Sequence, residues 1–239
     1  MKKGFIIAID GPVASGKGTI AKILSKAINA LNFNSGGVYR AYAWKLQNLG
    51  ISPEDENAIK NHLKVGETEI IFNTEAQEEF TISFDGHDVT KQLFAPEISM
   101  AASNFGKSRV FVEFINSELR RIVKKYQISG QGIIMEGRQI GTDVFPDADV
   151  KIFLIADLQT RSKRRYEQYQ VKNIERSIED VIAQTNQRDE QDMSRTFGAL
   201  PRYPEKLGYD IIDNSKLNEQ ETLDAILAVL QKKGIWTNN

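Results

Sequence analysis

Cysteine is missing from the chain altogether, and histidine occurs only twice, as His62 and His87. The first absence removes disulfides, thiolate zinc sites and cysteine nucleophiles together, and it suits a reducing, cytoplasmic setting. The second leaves little material for a histidine triad or a histidine-ligated metal, since the two residues sit far apart in polar sequence and are expected at the surface. An excess of charge of either sign is also lacking. The formal net charge is −1, so no global field favours nucleic acid or an anionic membrane. No apolar run is long enough to span a bilayer. Met1-Lys2-Lys3 followed by GFIIAI imitates a signal-peptide start, but the run stops at Asp10, too early for an h-region. Internal repeats, low-complexity tracts and linkers are not evident. What remains is 239 residues, 41% hydrophobic and 26% charged, enough to bury the core of one α/β domain or of a domain with a sizeable insert.

Phe5 to Ile9 is a continuous apolar run ending in a glycine-rich turn, as in a parallel-sheet strand buried on both faces. Ile20, Ile23, Leu24, Ala27, Ile28 and Leu31 then follow helical spacing. A short strand over Leu31 to Asn34 and a helix from about Val38 to Leu49, closed by Gly50, come next. Ser52-Pro53-Glu54-Asp55 reads as an N-cap, a proline at N1 and an acidic first turn. Between residues 66 and 90 the pattern changes to EIIFN, EFTISFDG and HDVT, an antiparallel insert with a turn at Asp85-Gly86. The acidic EAQEE at 75–79 reads as a solvated hairpin loop. A helical stretch over about 96–126 precedes three further core strands, GIIME (132–136), VKIFLI (150–155) and YDIID (209–213). Leu223, Ile226, Leu227 and Leu230 share one face of a last helix. Strands alternating with helices predict a parallel sheet with helices on both faces.

Gly11-x-x-x-x-Gly16-Lys17 lies between the first strand and the first helix. Glycines there turn backbone N–H groups toward one point, the helix adds its positive end, and a lysine ammonium completes a cradle for polyphosphate. The usual pattern continues with a Ser or Thr whose hydroxyl reaches Mg²⁺. Here Gly18 follows, and the hydroxyl is displaced to Thr19. One residue rotates a helical side chain by about 100°, so Thr19 does not simply replace that ligand. Other residues fall on the rim where ligands bind in open α/β sheets. Glu136, Gly137 and Arg138 end one core strand. Ser35, Tyr39 and Arg40 follow another. Arg161, Arg164 and Arg165 make a basic edge after the fourth strand, either a closing element over phosphates or plain surface. Arg188, Asp192 and Arg195 share one helical face, equally readable on local grounds as a solvated ion-paired stripe.

Together these stretches resemble the cytidylate kinase family, the bacterial CMP/dCMP kinases of the nucleoside monophosphate kinase group. The segments IAIDGPVASGKGT, NSGGVYRA, FDGHDVT…PEISMAAS, GRQIGTDVFPDADVKIFL and QRDEQDMSR carry the likeness nearly end to end. The resemblance implies a three-layer P-loop kinase fold with a five-stranded parallel sheet, a small antiparallel insert and an arginine-bearing lid. It implies one domain, with a core of 1–62 and 97–239, an insert of 63–96 that binds the monophosphate, and a lid at about 158–175. It implies ATP and Mg²⁺ as cofactors, CMP or dCMP as acceptor, a monomer, and no nucleic-acid or membrane partner. ATP would be held by Gly11, Pro12, Val13, Ala14, Ser15, Gly16, Lys17, Gly18 and Thr19, with Arg161, Arg164 and Arg165 in the lid. The acceptor would meet Ser35, Tyr39, Arg40, Ser103, Arg109, Arg138, Gln139, Arg188, Asp192 and Arg195. Lys17, Arg138 and Glu136 would serve catalysis, with Mg²⁺ reached through phosphates and water near Glu136.

The chain also departs from the family pattern. Gln139 stands where an aspartate is usual, Glu136 where aspartate is common, Asn34 where an aspartate often precedes the Ser-Gly turn, and Gln191 where an arginine is frequent. Aspartate is acceptor-only and suits the cytosine amino group, whereas Gln139 offers both C=O and NH₂. A glutamine therefore leaves the choice between CMP and UMP open. A kinase for another small acceptor and a non-catalytic nucleotide-binding regulator are the competing readings. The regulator predicts ATP binding without turnover.

Overall fold

The computed structural model describes residues 4–72, 80–171 and 173–237. The acidic 75–79 segment and Met1-Lys2-Lys3 lie outside the described residues. Five parallel strands form the central sheet in the order β2-β6-β1-β7-β8: β1 (Ile6–Asp10), β2 (Leu31–Asn34), β6 (Ile133–Glu136), β7 (Val150–Ile155) and β8 (Asp210–Asp213). Residues of β1 alternate between two cores. Ile6 and Ala8 join the side packed by α2 (Gly36–Asn48) and α5 (Arg109–Ile128), while Ile7 and Ile9 join the side packed by α1 (Lys17–Ala27) and α8 (Glu219–Lys232). That alternation, buried on both faces, produces the continuous apolar run of a central parallel strand.

A second sheet, β3-β4-β5, is antiparallel and spans Thr68–Phe72, Phe80–Phe84 and His87–Asp88. Asp85 (φ 48°) and Gly86 (φ 79°) make the tight β4–β5 turn with both central residues at positive φ, which Asp-Gly tolerates. Glu118, fully buried on α5, anchors this sheet to the core. It accepts hydrogen bonds from Tyr42 Oη, Gly66 N and Arg121, and Arg121 in turn donates to Thr68 O.

Two expected boundaries move. The helix expected at Ser52-Pro53 begins instead at Glu56 (α3, Glu56–His62), because Asp55 is the cap, its carboxylate accepting from Ala58 N at 2.9 Å. The helical stretch expected over about 96–126 consists of two helices, α4 (Pro96–Phe105) and α5. The chain turns at Gly106-Lys107, and Ser108 caps α5 by accepting from Phe111 N. Gly50, at φ 68°, closes α2 as anticipated. Its N–H reaches Gln47 O while Ile51 N–H reaches Leu46 O, the paired bonds of a Schellman close. Two helices, α6 (Leu158–Val171) and α7 (Ile178–Ser194), pack on each other and overhang the carboxyl edge of the main sheet. Among the described residues no helix is long and apolar enough to cross a membrane.

Candidate active site

All five parallel strands end on the same edge, and the chain between β1 and α1 wraps a loop there. Gly11 (φ 151°) passes so close to β7 that a Cβ would lie 2.1 Å from Leu154 O; no other residue fits without moving backbone. Gly16, at φ 90°, turns the loop into the first turn of α1. Lys17 follows at N1, only 6% exposed, donating to Pro12 O at 2.7 Å and reaching Ser15 Oγ at 3.4 Å. Burial holds its ammonium well below the ordinary lysine range. The nearby Arg138 charge works in the same direction, against the partial offset of Glu136, Asp10 and Asp192. An anion brought into the loop would favour the charged form.

Glu136 ends β6, paired with Ile9 on one side and Asn34 on the other. Burial raises its carboxyl, opposed by Lys17, the Asn34 hydrogen bond, Arg138 and Arg40. Its carboxylate occupies the space beside Gly18, where an added Cβ would stand 3.3 Å from Oε1. The displaced hydroxyl therefore has a structural counterpart: the volume beside position 18 holds an acid from the neighbouring strand. Thr19 is exposed and faces a different cavity. Asn34 bridges two elements, its Oδ1 accepting from Gly36 N and its Nδ2 donating to Glu136 Oε1, at 2.9 and 2.8 Å. An aspartate at 34 would replace that donor with a second carboxylate. Asn34→Asp is expected to raise the Glu136 carboxyl further and to destabilise the fold most where both acids are ionised. In chemical denaturation the deficit against the parent is expected to be largest near pH 8. It should shrink as pH falls through the raised carboxyl range.

The cleft beyond this loop is a cavity of about 800 Å³. It brings together Val13, Lys17, Ser35, Tyr39, Arg40, Ser103, Glu136, Arg138, Gln139, Arg165, Arg188 and Arg195 from residues up to 182 positions apart in the chain. Asp192 lies beneath it, 1% exposed, and pairs with Arg138 at 2.8 Å, Arg195 at 3.0 Å and Arg188 at 3.3 Å. Burial alone would raise this carboxyl. The three guanidiniums outweigh burial and hold it below the usual carboxylate range. Arg188 also donates to Ser103 Oγ at 3.1 Å, tying α7 to α4. The helical face of Arg188, Asp192 and Arg195 is thus a built cluster rather than a solvated stripe.

The basic edge on α6 divides three ways. Arg165 lines the main cleft. Arg164 bonds Asn214 and lines a second cavity of about 580 Å³, with Gly16, Thr19 and Asn218. Arg161 is turned inward, 6% exposed, and spends its guanidinium on Ala156 O, Val13 O and Asp189. It holds the glycine loop from behind and is not directed into either cavity. Arg109 is likewise outside the cleft lining. It pairs with Glu113 at 2.6 Å and lies over the Phe197 ring, whose residue does line the cleft.

Several site residues were not singled out from the sequence. Asn214 donates to Ser15 O and braces the loop. Asn116 on α5 accepts from Gln139. Asp10, fully buried at the end of β1, accepts from Ile140 N, Gly141 N and Tyr209 Oη at 2.7–2.9 Å. The acid just before the glycine loop was in plain view in the IDGP stretch. The two asparagines had no local signal.

A sequence model of the family described as cytidylate kinase matches residues 7–232. The chain belongs to the cytidylate kinase family. As a member it is a nucleoside monophosphate kinase, a transferase. Among curated relatives, cytidylate kinase of Thermotoga sp. (strain RQ2) is 35% identical over 235 residues, covering 96% of this chain and 98% of the relative. Cytidylate kinase of Bacillus subtilis (strain 168) is also 35% identical, covering 98% and 99%. That of Caldicellulosiruptor bescii is 34% identical, covering 95% of each. The likeness to the family is therefore end to end.

Proposed function

We propose that the protein transfers the γ-phosphoryl group of ATP to the phosphate of CMP or dCMP. The observation that carries this reading is the charge of the cleft. Among the described residues, six basic side chains, Lys17, Arg40, Arg138, Arg165, Arg188 and Arg195, line it against one lining acid, Glu136, and the underlying Asp192. A surplus of basic groups of that size fits two phosphate-bearing ligands meeting end to end.

In this reading the glycine loop and Lys17 take the donor phosphates, and the second cavity beside Arg164 and Asn214 takes the donor nucleoside. Arg40 and Arg138 hold the acceptor phosphate, Arg188 and Asp192 its sugar, and Ser103 and Gln139 its base. An acceptor phosphate oxygen forms a bond to the γ-phosphorus as the bond to the β–γ bridging oxygen breaks, and the electron pair leaves with ADP. The attacking oxygen is already anionic, so no strong general base is required. Catalysis comes from alignment and from neutralising the equatorial oxygens by Lys17 and the arginines. A magnesium ion suits the site, since Glu136 offers hard carboxylate oxygen beside the small Gly18 at the mouth of the loop. When bound, it would neutralise charge on the donor phosphates.

The test is a steady-state acceptor panel of CMP, dCMP, UMP, AMP and shikimate, read as ADP formed from Mg·ATP. Turnover with CMP or dCMP well above AMP and shikimate is the expected result. Folded protein that binds ATP but forms no ADP with any of them would be the regulator instead, and the proposal would fall.

A further inference from the structure

Three carbonyls of the glycine loop are held by side-chain donors. Pro12 O accepts from Lys17 Nζ at 2.7 Å, Val13 O from Arg161 at 3.1 Å, and Ser15 O from Asn214 Nδ2 at 3.0 Å. The third bond acts on the peptide that leads into Gly16. A peptide is planar and trans, so its C=O and its N–H point in opposite directions. Gly16 stands at φ 90°, and glycine takes either sign of φ at little cost. Turning the Ser15–Gly16 peptide over reverses both of its groups, and no side chain at position 16 opposes that turn. The bond from Ile20 N–H to Gly16 O belongs to the next peptide and does not hold this one. The backbone alone therefore leaves the direction of the Gly16 N–H undecided, and the donor at Ser15 O decides it.

That donor is itself fixed. Asn214 is 4% exposed, just past β8, with its N–H bonded to Ile155 O at 2.9 Å. Its Oδ1 accepts from Arg164 Nη1 at 3.2 Å, and its main-chain O accepts from Arg164 Nη2 at 3.0 Å. A guanidinium only donates. A reversed amide would set NH₂ against the guanidinium and Oδ1 against Ser15 O, donor on donor and acceptor on acceptor. We infer that Asn214 is a positioning residue of the glycine loop: oriented by Arg164, it holds the Ser15 carbonyl outward and so turns the Gly16 N–H inward, toward a phosphate of the donor nucleotide. An N–H aimed before the anion arrives needs no reorganisation on binding. Through this one amide, α6 is tied to the phosphate cradle. The inference rests on the reading of the glycine loop as the donor-phosphate site and deepens it.

Inorganic tripolyphosphate probes the loop without a nucleoside. Calorimetric titration compares its affinity for the parent, Asn214→Leu and Asn214→Asp, with CMP as the control ligand and a thermal melt beside each. Asn214→Leu has a similar volume and neither donates nor accepts. It is expected to bind tripolyphosphate about tenfold more weakly, to keep its affinity for CMP, and to show a raised KM for ATP with that for CMP unchanged. Asn214→Asp keeps its acceptors toward Arg164 but offers no donor to Ser15 O, and is expected to lose at least as much. A merely structural Asn214 would lower the melting temperature and leave tripolyphosphate affinity intact, or weaken both ligands in proportion, and either result overturns the inference. In ¹⁵N-resolved NMR of the parent, tripolyphosphate is expected to shift the Gly16 N–H downfield. An unmoved Gly16 N–H overturns the inference, and this measurement carries the test if neither variant folds. A parent that binds no tripolyphosphate overturns it as well. A parent that binds tripolyphosphate but turns over no monophosphate removes the kinase reading instead, and the binding comparison still decides the role of Asn214.

Discussion

Lys17→Met is expected to lower kcat by at least about 10²–10³-fold, while leaving the melting temperature equal to or above that of the parent. The loss follows from removing the lysine from the loop that, in the proposed function, faces the transferring phosphoryl group. The unchanged or raised stability follows from the lysine's own surroundings. At 6% exposure and beside Arg138, its ammonium is disfavoured by the fold, which depresses its proton affinity. A group of this kind costs stability below its unfolded value and ceases to do so once the proton is gone; an apolar side chain of similar length removes that cost. Activity and stability thus separate, as they do where a fold carries a strained functional group. ADP release measured beside a thermal melt checks both halves. Turnover within tenfold of the parent would mean that the glycine loop does not cradle the reacting phosphate.

Asp192→Asn carries the second large effect, and its sign is opposite for stability. The substitution keeps the shape but removes the carboxylate shared by Arg138, Arg188 and Arg195. Three partly exposed guanidiniums then repel one another around a buried position. Solvent screening brings the cost below the ~3–5 kcal/mol of a fully buried pair. Since Arg138 is aimed by its 2.8 Å bond to Asp192, kcat/KM for the acceptor is expected to fall by about 10²-fold, as for other misplaced positioning groups. The pH dependence gives the diagnostic. A carboxyl held below its unfolded range stabilises the fold above about pH 4 and loses that contribution as pH falls through its folded value. Parent and variant are therefore expected to differ most at neutral pH and to converge in strong acid, as read by denaturant titration. A variant as stable as the parent at pH 7 would remove Asp192 from the centre of the cluster.

Much of this architecture was legible because it is written in local periodicity. The buried strands announced themselves as apolar runs, VKIFLI with its observed bounds, and the glycine loop fell between a strand and a helix as expected. What stayed hidden depends on contacts across the chain. Arg161, Arg164 and Arg165 look alike in sequence, yet Arg161 meets Asp189 and Val13 O, Arg164 meets Asn214, and only Arg165 reaches the main cleft. Nothing local distinguishes a guanidinium aimed at solvent or ligand from one spent on a carbonyl 148 residues away. Arg109 illustrates the same limit, since its partner Glu113 lies one helical turn on and takes it to the rim. Asn116 sits in the middle of an ordinary amphipathic helix. Its meaning appears only when α5 is laid against the turn that carries Gln139.

Asp10 has a consequence beyond holding its neighbours. Its carboxylate receives the N–H groups of Ile140 and Gly141 and the hydroxyl of Tyr209, at the point where β1 passes into the glycine loop. The same buried group therefore fixes the root of the glycine loop and the turn that bears Arg138 and Gln139. The spacing between the two halves of the cleft is a built-in gauge length, set when the chain folds. In the proposed function a ligand that enters the cleft inherits this alignment, so its binding energy is not consumed in bringing the two proposed phosphate sites into line.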